Sequence, residues 1–70
     1  MLGLILGDQF ETDKGDYVVT GIQFERGKRV GCLIKPYRVE NDEHTAPSFL
    51  SDEQIEKNWN SINYKGNKVL

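Results

Sequence analysis

The reactive side chains of this sequence are few. It has one histidine, His44, and one cysteine, Cys32. An imidazole acting as a general base needs a positioned partner and a pocket. His44 stands between Glu43 and Thr45 in a polar stretch, where a solvated loop residue is expected. A nucleophilic thiol needs nearby cations or a helix N-terminus to lower its pKa. Cys32 lies between Gly31 and Leu33, near Val30 and Ile34, which suits a small core hydrophobe. One cysteine excludes an internal disulfide. One cysteine and one histidine do not make a structural zinc site, which takes four N/S ligands.

Carboxylates are plentiful, but Asp42/Glu43 and Asp52/Glu53 are sequence neighbours, and consecutive residues do not face each other on a helix. Asp8, Asp13 and Asp16 sit near turns and lack the alternation of a calcium loop. No G-x-x-x-x-G-K-[ST] phosphate loop occurs. These residues point to no catalytic group, no metal and no cofactor. The remaining candidate is a basic stretch. Arg26, Lys28 and Arg29 surround a turn, and Lys35, Tyr37 and Arg38 follow. Cations beside an aromatic suit phosphates and a stacked base. They also suit an ordinary strand edge, where Lys and Arg oppose aggregation.

The elements that must carry these residues are mostly strands. Gly7-Asp8 marks a turn. Gln9 to Thr12 reads as a short strand with Phe10 inward. Asp13 to Asp16 is a turn. Tyr17 to Phe24 is rich in aromatic and β-branched residues. Tyr17 and Val19 share one parity, Ile22 and Phe24 the other, so a bulge near Thr20-Gly21 is expected. Glu25 to Lys28 turns the chain. Arg29 to Lys35 is the third strand, with Val30, Cys32 and Ile34 on one face. Pro36 should end its pairing. Arg38 to Ser48 reads as a loop. Ser51 and Gln54 form a capping box, with Leu50 and Ile55 as a staple. Ile55, Trp59 and Ile62 repeat at helical spacing, so a short helix is expected at about 51–59. Tyr64 to Val69 is either a last strand or a tail. The predicted core is Phe10, Tyr17, Val19, Ile22, Phe24, Val30, Cys32, Ile34, Ile55, Trp59 and Ile62.

At 70 residues the chain makes a single small domain, 1–70, with little stability to spare. Met1 to Leu6 is too short for a secretory h-region of roughly 7–15 apolar residues or a span of about 20. With the lone thiol, this favours a reducing cytoplasm. Net charge is −2, from 9 basic and 11 acidic residues. It is distributed in blocks: 8–16 carries −3, 25–38 carries +4, 40–56 carries −6 and 57–70 carries +3. A folded molecule can therefore show faces of opposite sign.

Gly7-Asp8, then Gly15-x-Tyr17-x-Val19-x-x-Ile22, a glycine turn and Val30-x-x-Leu33 resemble the strand pattern of SH3-like small barrels of the Tudor and KOW kind. Leu50-Ser51-x-Glu53-x-Ile55-x-Lys57-Asn58-Trp59-x-x-Ile62 resembles the endings of short phage and prophage proteins. The resemblance implies a mostly β fold: a small antiparallel barrel or strongly bent sheet of four or five strands with one short helix. Three functions are expected in turn. The first is a non-enzymatic protein-binding module, such as a phage- or mobile-element-encoded modulator of a host protein. The second is a nucleic-acid-binding barrel using 26–38. The third is a self-associating component of a larger assembly.

Overall fold

A computed structural model describes residues 3–39 and 44–67. The chain runs through β1 (Asp8–Thr12), β2 (Gly15–Glu25), β3 (Lys28–Pro36), a 3-10 turn (Tyr37–Val39), β4 (Ser48–Ser51), α1 (Asp52–Lys57), a second 3-10 turn (Trp59–Ser61) and β5 (Asn63–Asn67). All pairings are antiparallel. The strands form one open sheet in the order β4-β3-β2-β1-β5. The expected mostly β fold with one short helix is what the chain adopts.

Turn chemistry sets the register. Arg26 (φ 53°) and Gly27 (φ 79°) are the two central residues of the β2–β3 turn, between paired Glu25 and Lys28. Positive φ at both positions is type I′, whose twist matches the strands it joins. Two bulges shape the same ribbon. Thr20 is the extra residue between the Val19–Ile34 and Gly21–Leu33 pairs, as the parity of the sequence requires. Val30 is the extra residue between the Gln23–Gly31 and Phe24–Arg29 pairs. A third break falls at Lys65 on β5, between the Gln9–Gly66 and Phe10–Tyr64 pairs.

The core cluster is Leu4, Phe10, Val19, Cys32, Ile34 and Ile55, with Tyr17, Ile22, Leu50, Trp59 and Ile62 packed against it. Phe10 and Tyr17 stack with centroids 5.7 Å apart. Three corrections to the sequence reading follow. Phe24 is 64% exposed, because the second bulge and the overshoot of the hairpin carry it past the core. Val30, the bulge residue, is only half-buried and stands outside the cluster. Leu4 and Val18, not expected in the core, are each 1% exposed; Val18 lies on β2 outside the main cluster.

The stretch read as a loop ends in a strand, β4, whose four residues pair Gly31 to Ile34 of β3. Alternation was invisible there because the strand is so short. Gly31 is required by this pairing: a Cβ would meet the Phe49 ring at 2.7 Å and the Leu50 carbonyl at 2.5 Å. The capping box forms as read. Gln54 N–H donates to Ser51 Oγ at 3.1 Å and Ser51 N–H donates to Gln54 Oε1 at 3.1 Å. The helix ends at Lys57, and Trp59 lies in the following 3-10 turn rather than in the helix. Tyr64 lies in a true last strand; Val69 is outside the described residues.

Ser51→Ala should lower the free energy of unfolding by about 1 kcal/mol through the lost cap, read by urea denaturation. Arg26→Asn should be neutral or stabilising in the same assay, because Asn tolerates positive φ better than Arg.

Candidate functional site

The six basic-stretch residues do not converge. Arg26 and Lys28 are exposed at the β2–β3 tip. Lys35 pairs with Val18 near the other end of β3, about 20 Å away along the strand at ~3.3 Å per residue. Tyr37 and Arg38 are exposed in the 3-10 turn beyond it.

Arg29 leaves the set altogether. Its Nε donates to both Asp52 carboxylate oxygens, each at 3.0 Å. Both side chains are largely buried, and a Cβ on Gly3 would lie 3.1 Å from the guanidinium carbon. Arg29 therefore ties β3 to the start of α1 beneath the N-terminal segment. Its position next to Lys28 in the sequence gave no sign of that partner, 23 residues away.

The groups that could carry chemistry are also separated. Cys32 is wholly buried, and its thiol is pushed up to about 11. Burial is the main cause; Asp52 and Asp8 push the same way and Arg29 opposes them. His44 is exposed in the segment before β4. Asp13 and Asp16 are exposed at the β1–β2 turn, but Asp8 is buried at the other end of β1. Asp8 accepts from Ile5 N–H at 2.7 Å, Tyr64 Oη at 3.0 Å and Asn67 Nδ2 at 2.8 Å. This carboxylate joins the turn before β1 to the last strand. Among the described residues no group of three His, Cys, Asp or Glu side chains is placed to hold a metal.

The concave surface lies where the sequence gave no motif. A cleft of about 510 Å³ opens between the β1–β2 turn and the α1 end of the sheet. Its floor is Phe10, Ile34, Leu50 and Ile62, and Asp13, Lys14 and Asn58 stand at its edge. A smaller cleft of about 310 Å³ adjoins it, lined by Asp16, Pro36, Tyr37 and Arg38. Lys14 and Tyr17 line both. Tyr37 and Arg38 are thus the basic-stretch residues that the fold brings to a cleft. Tyr17, read only as core, is the wall between the two. No sequence signal could reveal this, because the clefts join residues from β1, β3, β4 and the 3-10 turns.

Comparison with protein-family models, with curated proteins and with solved structures gave no match. Among the described residues no helix is long and apolar enough to cross a membrane.

Two titrations test this geometry. Cys32 in the native protein should resist a thiol reagent at neutral pH and react in step with unfolding; fast labelling of folded protein would contradict its burial. Tyr64 is held above the ordinary tyrosine value of 10.0, chiefly by its hydrogen bond to Asp8, then by desolvation and the Asp8 charge. The folded state therefore favours the phenol. That stabilisation is complete below the ordinary pKa and is lost as pH rises through the higher folded value. Tyr64→Phe should flatten this alkaline loss in denaturation curves measured across pH.

Proposed function

We propose that this chain is a protein-binding module that acts by occupancy, without turnover, and that the twin clefts around Tyr17 are its contact surface. The observation that carries the reading is their composition. Four apolar side chains form a floor, and an aromatic wall, two cations and two carboxylates rim it. An apolar anchor site with a polar rim is how small protein surfaces bind partners. The inaccessible thiol and the exposed His44, which lines neither cleft, support action without catalysis. The SH3-like reading rests on the Gly7 to Leu33 strand pattern of the sequence. Phage or mobile-element provenance rests on the Leu50 to Ile62 pattern, a cytoplasmic setting on the lone thiol of Cys32, and modulation of a host protein on the charge blocks along the chain.

A second reading has its own observation. Tyr37, 44% exposed, lines the small cleft together with Arg38 and Lys14. That arrangement favours single-stranded nucleic acid, with a base on the ring and phosphates on the cations.

Selection from a displayed random-peptide library tests the first reading directly. Peptides sharing an apolar anchor should be enriched. Their binding should weaken at least several-fold with Tyr37→Ala or Lys14→Glu, and should survive His44→Ala and Cys32→Ser. Saturation should occur at one peptide per domain. Failure to enrich any common sequence would retire the cleft as a peptide-binding site. Steeply salt-dependent binding of a single-stranded oligonucleotide, lost in Tyr37→Ala, would move the assignment to nucleic acid.

A further inference from the structure

Strand β5 gives nothing to the core. β1 supplies Phe10, β2 supplies Val19, β3 supplies Cys32 and Ile34, and β4 packs Leu50 against them. Among the described residues no member of Asn63–Asn67 belongs to that cluster or packs on it. β5 pairs with β1 alone. Their ladder is broken at Lys65, and Gly66 beside the break has φ 105°. The Lys65–Glu11 contact is 3.9 Å long between half-exposed side chains, and such pairs add little.

What holds the strand is polar and converges on one residue. Asp8 is 4% exposed. Its Oδ1 accepts from Tyr64 Oη at 3.0 Å and from Asn67 Nδ2 at 2.8 Å, while Oδ2 accepts from Ile5 N–H at 2.7 Å. Asn67 Nδ2 also donates to the Leu6 carbonyl at 3.0 Å. The two β5 donors therefore act together. Losing one while the strand stays in place leaves a buried carboxylate short of a donor, which costs more than the bond itself. When the whole strand leaves, water replaces both donors and the carboxylate is no longer desolvated. Half-seated positions are thus disfavoured against seated and released ones. The boundary of the unit is also defined. Ile62, directly before β5, packs against the core and is already extended, φ −103° and ψ 120°.

We propose that β5 is a releasable strap: Asn63–Asn67 leaves β1 as one unit while the other four strands, α1 and the core stay folded, and Asp8 is the latch that sets how often it does so. Release bares the outer backbone edge of β1 and removes no residue from the core. The strap does not depend on what occupies the clefts.

Native-state amide hydrogen exchange of the full chain tests it, followed residue by residue by NMR where rates report opening equilibria. The β5 amides bonded to β1, and the β1 amides bonded to β5, should share one opening. It should be at least tenfold more frequent than that of the β2–β3 amides. It should respond weakly to urea, because little surface is exposed. Tyr64→Phe removes one donor at an exposed position and should raise the shared opening several-fold at both ends of the strand. Asp8→Asn sets an amide N–H against the strand's donors and should raise it further. Ser51→Ala separates the strap from the whole molecule. The helix cap stays formed when the strap is released, so this substitution should speed β2–β3 exchange about fivefold and leave the β5 opening unchanged. Openings that grow step by step from Asn67 toward Asn63, with Tyr64→Phe moving only the amides beside it, overturn the latch. β5 amides that open only together with β2–β3, and that Ser51→Ala speeds by the same factor, overturn the strap.

Discussion

Val19 and Ile22 must both reach the core although their spacing puts them on opposite faces of a regular strand. The bulge at Thr20 resolves this conflict, and much of the structure depends on it. An extra residue shifts the parity of β2 and increases its local twist. Val19 then lies in the core cluster and Ile22 packs against it. The bent ribbon lets five short strands share one small core, which a flat sheet of this size could not enclose. The helix of six residues is too short to persist alone. It is held from three directions: the capping box at its start, Ile55 in the core, and the Arg29–Asp52 pair.

The same economy shows at the sheet edges, where unpaired backbone invites unwanted strands. On β4, Ser51 N–H is turned away from β3 and is taken by Gln54. Strand alternation then turns the Phe49 backbone N–H, not its ring, to the open side, and Pro47 beyond it has no N–H to give. The capping box thus serves both the helix and the edge. On β5 the bulge residue is Lys65, whose Nζ lies 3.9 Å from a Glu11 oxygen. A charged, irregular edge is a poor template for pairing.

Charge does different work at different depths. Arg29 and Asp52 are the members of the basic and acidic blocks that are drawn inside, and there they set geometry. Arg26, Lys28, Asp13 and Asp16 stay in water, where ion pairs add little to stability. Asp8 is a third case: a buried carboxylate whose oxygens take three hydrogen bonds, so the turn at Ile5 to Asp8 and the last strand are joined through one residue.

Local signals were legible in the sequence wherever the cause was local. The Thr20 bulge followed from parity, the β2–β3 turn from Gly27, the helix start from Ser51 and Gln54, and the burial of Phe10, Cys32 and Ile55 from alternation and helical spacing. Each depends on residues a few positions apart, so the sequence alone determined it. The fate of Phe24 and Arg29 did not depend on neighbours in sequence. Whether an inward-facing aromatic is buried depends on whether another element covers it, and among the described residues nothing covers Phe24, which is 64% exposed. Whether an arginine is free depends on what lies across the fold, and Asp52 is brought there only when α1 docks. The clefts are further still from the sequence, because a concavity is a property of the space between β1, β3, β4 and two 3-10 turns. Only the tertiary structure decides such matters, since they are set by distances between segments that the chain order leaves unspecified.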